Sequence, residues 1–119
     1  MSRPLQVRRI YEAPARGDGR RILVDRLWPR GLAKDKVKVD YWARDVAPSN
    51  ELRRWYRHDR DKWDEFRRRY AAELDANGEA VAELERQIGS GAATLLFGAK
   101  ETEYNNAVAL KAYLEARRR

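Results

Sequence analysis

Short runs of apolar residues predict three β-strands in this chain. The most compact run lies within residues 21–26, where Ile-Leu-Val is closed by charged residues on both sides, as in a central strand buried on both faces. Residues 92–99 form a similar run after a Gly-Ser-Gly loop and predict a second buried strand. Residues 5–12 alternate imperfectly between apolar and polar side chains, which is typical of an edge strand.

Helical spacing of apolar residues fills most of the chain between the two buried strands and returns at its end. One helix is predicted over residues 39–46, where apolar side chains lie three and four positions apart until a proline interrupts. Ser49 is the expected N-cap of the next helix, and Asp59 offers a second cap. Asn77-Gly78 predicts a helix stop, and Thr102 the cap of the last helix. The apolar positions of these later helices are Trp63, Phe66, Tyr70, Leu74, Val81, Leu84, Ile88, Ala107, Leu110 and Leu114.

These elements predict an α/β fold: one small domain over residues 1–119, in which a short, mostly parallel sheet is flanked by helices. The helices between the two buried strands provide the crossover that parallel neighbours require, and such a crossover is right-handed. The loop before the central strand is too short for a helical crossover, so we expect the first strand to pair antiparallel. Residues 115–119, which end in three arginines, are expected to be a basic tail.

The composition excludes several kinds of chemistry. The chain of 119 residues has no cysteine and one histidine, which excludes disulfides, thiolate nucleophiles and thiolate metal sites. We therefore expect no metal site and no cofactor. No apolar run is long enough for a membrane span, and the first six residues lack the apolar block of a signal peptide, so a cytoplasmic protein is expected.

The net charge of +7 is concentrated in the first half of the chain. Residues 1–60 hold 16 Lys and Arg against 8 Asp and Glu, whereas residues 61–119 hold 10 against 11. A field of this sign raises the local concentration of phosphates, carboxylates or a nucleic-acid backbone. Solubility is an equally good explanation, because net charge bears on association and not on fold.

The loop of residues 25–31, directly after the central strand, is the main candidate site. Ligands of open α/β sheets bind beyond the carboxyl ends of the strands, where this loop and the one after the second buried strand are expected to face each other. We expect Arg26 and Arg30 to clamp an anion, with Trp28 as a wall and Asp25 orienting the arginines. In the structural alternative, Trp28 covers the core and Asp25 pairs with an arginine only to hold the loop.

Residues 98–106 would form the opposite side of the same site. Lys100 adds positive charge and Asn105 offers hydrogen-bond donors and acceptors, while the first amides of the last helix can receive an anion. The alternative is an ordinary helix start. His58, beside Asp59, is a candidate general base because imidazole titrates near neutral pH, and Asp25 is a second candidate for catalysis. A histidine at a helix junction more often caps or faces solvent.

Several short strings resemble those of one family. Residues 24–31 read Val-Asp-Arg-Leu-Trp-Pro-Arg-Gly, followed by Ala-Pro-Ser at 47–49, His-Asp at 58–59 and Asn-Asn-Ala-Val at 105–108. Over almost its whole length the chain resembles the YeaO-like family, domain of unknown function 488. The resemblance implies a small bacterial α/β protein without an established activity.

The resemblance also bears on the candidate catalytic residues. Longer relatives in the family carry a Cys-His pair near the last helix, which implies use of the same crevice. This chain has no cysteine, and Tyr104 stands where short relatives commonly have a histidine just before the asparagine. A mechanism that needs that imidazole is not expected here unless the phenol of Tyr104 replaces it as a hydrogen-bond donor, which makes Tyr104 a third catalytic candidate.

Three functions follow from these features. The first is a pocket for a small anionic ligand, either binding or catalytic, built from Arg26, Trp28, Arg30, Lys100 and Asn105. The alternative is a nucleic-acid-binding module that uses the basic N-terminal half. The third is an oligomeric structural protein in which part of the aromatic stripe is an interface. The sequence does not decide whether the protein is an enzyme.

Overall fold

The computed structural model describes residues 5–117, and a four-stranded parallel sheet forms its centre. The strands are β1 (Leu5–Arg9), β2 (Arg20–Leu23), β3 (Tyr41–Trp42) and β4 (Ala93–Phe97). Their order across the sheet is β1-β4-β2-β3, so the last strand in the sequence lies between the first two. All five residues of β4 are buried, because both of its faces and both of its edges are covered.

Four α-helices pack on one face of this sheet. They are α1 (Asn50–Tyr56), α2 (Trp63–Asp75), α3 (Gly78–Ile88) and α4 (Asn106–Arg117). Ser49 caps α1 as predicted, since its hydroxyl accepts a hydrogen bond from the Leu52 backbone N–H. Together the helices and this face of the sheet form the main core. Its buried helical side chains include Leu52, Tyr56, Phe66, Tyr70, Leu74, Val81, Leu84, Ile88, Leu110 and Leu114.

The other face of the sheet is covered by loops and short 3₁₀ turns among the described residues, not by helices. Ile10, Leu23 and Leu96 are buried there, and the half-buried rings of Trp28 and Trp42 pack against them. These side chains alternate along each strand with those of the main core, as the two-residue period of a strand requires. The α/β class with a parallel sheet is confirmed, with its helices on one side only.

The prediction that the first strand pairs antiparallel is wrong: β1 pairs parallel with β4, in register from Leu5 opposite Ala93. A helical crossover is not needed, because the segment after β1 returns along the loop-covered face without one. Asp18 anchors this segment there. Its carboxylate pairs with the buried guanidinium of Arg21, and its carbonyl accepts a 2.7 Å hydrogen bond from the Thr94 hydroxyl.

The predicted helix over residues 39–46 is also wrong. Its first part contains β3, in which Tyr41 packs toward the helices and Trp42 toward the opposite face. The spacing of its apolar residues fits a helix as well as a short strand. The segment forms a strand because its backbone pairs with the edge of β2. The helix stop predicted at Asn77-Gly78 is confirmed, since α2 ends at Asp75 and α3 begins at Gly78, whereas α4 begins at Asn106 and not after Thr102.

The predicted basic tail at residues 115–119 is helical as far as the structure describes it, since α4 continues to Arg117. Residues 118–119 lie outside the described residues, as do residues 1–4 of the N-terminal segment used in the signal-peptide prediction. Among the helices of residues 5–117, none is long and apolar enough to cross a membrane.

Candidate functional site

The Asp25 side chain joins the carboxyl ends of β2 and β4 through hydrogen bonds. The Asp25 carboxylate accepts a 2.8 Å hydrogen bond from the Gly98 backbone N–H at Oδ2 and a 3.1 Å bond from the Asn106 amide at Oδ1. The Asn106 amide also reaches the Val24 carbonyl at 3.3 Å. The two loops therefore face each other, as the sequence predicts, and the start of α4 joins them.

A cavity of about 260 Å³ opens beside this junction. It is bounded by the loop after β2, by α1 and the residues that follow it, and by the start of α4. The polar side chains that line it are Asp25, Arg26, Arg53, His58 and Asn106. The apolar lining consists of Leu27, Ala47, Pro48, Tyr56, Phe66 and Ala99.

Asp25 is the acidic side chain of this cavity. Burial raises the pKa of its carboxyl above the ordinary value, because the charged form is removed from water. Hydrogen bonds from Asn106 and Gly98 and the nearby charges of Arg53 and His58 act in the opposite direction without cancelling it. The ionised carboxylate is thus incompletely compensated by the protein around it.

Gly98 lies where the two loops approach each other closely. A Cβ atom at this position would lie 3.3 Å from Asp25 Oδ2 and 3.8 Å from two side-chain carbons of Pro29. The missing side chain lets the backbone N–H reach the carboxylate. A glycine directly after β4 thus lets the strand ends approach without displacing the Asp25 carboxylate.

Two arginines and a histidine also line the cavity. Arg26 donates from Nη2 to the Ala47 carbonyl at 3.3 Å, and within residues 5–117 no acceptor reaches its buried Nε. Arg53 on α1 and His58 are both exposed. His58 and the preceding Arg57 have left-handed backbones, with φ of 56° and 49°, so this sharp turn sets the position of the imidazole.

Four of the five predicted ligand-binding residues, Trp28, Arg30, Lys100 and Asn105, do not line the cavity. Trp28 packs on the opposite face of the sheet, where its indole donates to the Leu32 carbonyl and its ring meets Trp42 edge-on at 5.5 Å. Arg30 is exposed and contributes its carbonyl to a hydrogen bond from Tyr11, and Lys100 is exposed as well. The structural alternative for Trp28 matches its observed packing.

Asn105 and Tyr104 have structural partners at the start of α4. The fully buried Asn105 accepts from the Val108 N–H and donates to the Glu101 carbonyl, so it caps the helix. The Tyr104 ring packs edge-on against Trp63 with centroids 5.4 Å apart, and its carbonyl accepts from the Tyr56 hydroxyl. Neither side chain lines the cavity. Arg26, Asp25 and His58 are the predicted site residues that the structure brings together there.

Arg53, Tyr56 and Phe66 line the cavity but were not predicted from the sequence. Arg53 looks like one of many solvated helix charges, while Tyr56 and Phe66 belong to an apolar stripe and serve as both core and cavity wall. Asn106 lies in the predicted loop of residues 98–106 but was ranked below Asn105, and the helix start was placed three residues too early. Counting α4 from an asparagine cap at position 105 would have identified the amide beside Asp25.

The comparisons with known proteins identify the family. A family model described as the inactive DUF488-N3 subclade matches residues 4–119. The chain belongs to the DUF488 family. An uncharacterised protein of Mycobacterium tuberculosis is 41% identical to it over 113 residues, which is 95% of each chain. The uncharacterised protein YeaO of Escherichia coli is 36% identical over 115 residues, 94% of this chain and 97% of YeaO.

The resemblance of the sequence to the YeaO-like family is therefore confirmed over nearly the whole chain. No solved structure matches this DUF488 chain. Within residues 5–117, no three His, Asp or Glu side chains come close enough together to hold a metal ion.

Proposed function

We propose that this protein binds a small anionic metabolite in the cavity between the ends of β2 and β4, without converting it chemically. The observation that carries the proposal is the convergence of Arg26, Arg53 and His58 on one cavity whose remaining wall is largely apolar. Arginine guanidinium groups suit carboxylates and phosphates, since their planar donors match the oxygen geometry. We propose a cytoplasmic location, to which a chain without cysteines is suited.

The size of the cavity supports a small ligand. Its volume of about 260 Å³ lies just below the range of roughly 300–1,000 Å³ that drug-sized ligands occupy. A molecule with one or two anionic groups and a short carbon skeleton fits such a space. A dinucleotide or a peptide does not.

Binding without catalysis is supported by the family and by the residues. The matching family model carries the word inactive in its description, and the chain has no thiol that could act as a nucleophile. Tyr104, the residue that would have to replace an imidazole, packs against Trp63 outside the cavity. His58 lines the cavity, so a general base remains present, but no serine, threonine or cysteine is among the described side chains that line it.

A thermal-shift screen of small carboxylates and phosphates, followed by calorimetric titration of the compounds that stabilise the protein, tests the proposal. We expect Arg53→Ala to weaken binding at least tenfold, since one charge-assisted hydrogen bond is worth roughly 1.5–3 kcal/mol. Arg54→Ala is the matched control, because Arg54 is exposed on the same helix and does not line the cavity. The proposal fails if no compound stabilises the wild type at about 10 mM, or if both variants lose binding equally.

Nucleic-acid binding is a second proposal, and one surface favours it. On the loop-covered face, the Arg44 guanidinium lies 4.2 Å from the centre of the Trp42 ring, and the Lys34 ammonium 5.5 Å from it. Lys36 and Lys38 are exposed nearby in the sequence. Aromatic rings among cations are a common feature of single-strand binding surfaces.

A mobility-shift series with a single-stranded oligonucleotide tests this second proposal. Binding should fall steeply with salt, and Lys36→Glu with Lys38→Glu should abolish it. Arg67→Glu with Arg68→Glu is the control, since these exposed arginines lie on α2 in pairs with Asp64 and Glu65. Absence of binding at about 50 mM salt excludes the proposal.

A further inference from the structure

We propose that the ligand of this cavity is a zwitterion, which carries a protonated amine as well as its anionic group. The inference rests on the proposed function, because it assigns a ligand class to the same cavity. Its basis is the presence of two kinds of polar group in one small space: unused acceptors at the half-buried Asp25–Asn106 junction, and the exposed guanidinium of Arg53 with the imidazole of His58.

The acceptors lie where the strand ends meet. Each oxygen of the Asp25 carboxylate accepts one hydrogen bond, from Gly98 or from Asn106, and a carboxylate has about four acceptor positions. Both protons of the Asn106 amide are used, on Asp25 and on the Val24 carbonyl. Within residues 5–117 no donor reaches the Asn106 carbonyl oxygen. An ammonium group supplies three donors, enough for the carboxylate and this oxygen together.

The carboxylate also has an electrostatic reason to accept a cation. Burial raises the pKa of Asp25, so its ionised form is not fully compensated by the arginine and histidine nearby. A ligand that is only an anion would enter with its charge facing this carboxylate at short range. An amine on the same ligand removes that repulsion and adds an attraction in its place.

Two side chains on the cavity wall that could meet the anionic group reach solvent. Arg53 and His58 are exposed, and the wall also includes the apolar groups of Tyr56, Phe66 and Pro48. A ligand with an amine toward the strand ends and a carboxylate or phosphate toward α1 places each charge against its opposite. An apolar segment between the two charges would contact the aromatic wall.

Matched pairs of compounds that differ only by the amine test this inference on the whole protein by calorimetric titration. Suitable pairs are L-leucine with 4-methylpentanoate, L-glutamate with glutarate, and phosphoethanolamine with ethyl phosphate. We expect at least one amine to bind the wild type ten times more tightly than its partner. Its binding should shift the amide resonance of Gly98, whose N–H is donated to Asp25.

Asp25→Asn should reverse the preference, since it removes the charge and keeps the shape of the side chain. In this variant the amine should bind at least tenfold more weakly than in the wild type, and the amine-free anion should bind more tightly. Asp61→Asn is the control, an exposed residue that makes the same change of charge outside the cavity. Should Asp25→Asn fail to fold, Asn106→Ala keeps Asp25 and removes the second acceptor, and the amine should lose affinity selectively.

Each result decides between the two proposals. Equal binding of both members of every pair, weakened by Arg53→Ala, overturns the zwitterion and leaves the anion pocket standing. The same conclusion follows if anions from the wider screen bind while all three amines do not. If neither the pairs nor the screen yields a ligand, the proposed function fails as well. An amine preference that survives Asp25→Asn also overturns the inference.

Discussion

The Asp25 carboxylate and the backbone N–H of Gly98 form a 2.8 Å hydrogen bond that joins the ends of two neighbouring parallel strands. A carboxylate in this position has two roles. It fixes the distance between the loops after β2 and β4, and it presents its remaining acceptor positions to the cavity. In the proposed function, the carboxylate that joins the strand ends is also the group that selects among ligands.

Gly98→Ala is expected to destabilise this junction. The new Cβ would lie 3.3 Å from Asp25 Oδ2, closer than ordinary van der Waals contact, so the carboxylate has to move and its hydrogen bond weakens. We expect a loss of about 1–2 kcal/mol in the free energy of unfolding, measured by urea denaturation.

Gly17→Ala is the control for this change, because a Cβ at position 17 meets nothing within 4 Å. It should alter the free energy of unfolding by less than about 0.5 kcal/mol. Equal effects of the two substitutions would show that the close approach at Gly98 is not the cause.

Asp25→Asn should gain stability relative to the wild type as the pH rises. Because the pKa of Asp25 is raised on folding by burial, the native state binds this proton more tightly than the unfolded state. The wild type therefore loses stability as the pH rises from the ordinary value of 3.8 through the raised native pKa, and it stays less stable above.

The asparagine variant lacks this titrating carboxyl, so its midpoint of thermal unfolding relative to wild type should increase between about pH 4 and pH 7. All other titrating groups are common to both proteins and cancel in the difference. A difference in midpoint that does not change with pH would contradict the burial of an ionised carboxylate at this position.

The sequence predicted the strands and the site's location better than its side chains. The apolar runs of β2 and β4 are unambiguous, and parallel strand ends must meet at one edge, so Asp25 and the start of α4 could be placed together. The face of the sheet on which Trp28 packs could not be predicted from the sequence, because it depends on how the loop turns after β2. A turn of one residue moves a side chain to the other face of the sheet.

Asp18 illustrates the same limit for the fold. In the sequence it is one charge in a Gly- and Pro-containing loop, and nothing marks it as 2% exposed. Its burial depends on Arg21 and Thr94, of which Thr94 is 76 residues away. The parallel pairing of β1 depends in turn on where this loop lies, which explains why the antiparallel prediction failed.

Asp18→Ala is expected to be strongly destabilising. The variant leaves the Arg21 guanidinium, which is 1% exposed, without its carboxylate partner. Removing one partner of a buried ion pair typically costs about 3–5 kcal/mol. Asp64→Ala breaks the exposed pair with Arg67 and should cost less than about 1 kcal/mol in the same urea titration. Comparable losses for both variants would show that Arg21 is not buried as described.

Tyr56→Phe should protect the protein against alkaline unfolding. Burial, and to a lesser extent the charges of Glu101 and Asp59, raise the pKa of Tyr56 to about 12. The native state therefore keeps this phenol neutral, while the unfolded chain ionises from about pH 10. The stability that this phenol contributes to the folded protein is therefore lost as the pH rises from about 10 to 12.

At neutral pH the Tyr56→Phe variant should instead be less stable than the wild type by about 1 kcal/mol, because the Tyr56 hydroxyl donates a 2.7 Å hydrogen bond to the Tyr104 carbonyl. The two effects oppose each other, and the difference between variant and wild type should shrink or change sign between about pH 9 and pH 12. Tyr11→Phe is the control for the loss of a phenol from the unfolded chain, because Tyr11 is 43% exposed. If the stability difference from wild type changes with pH in the same way in both variants, the burial of Tyr56 is contradicted.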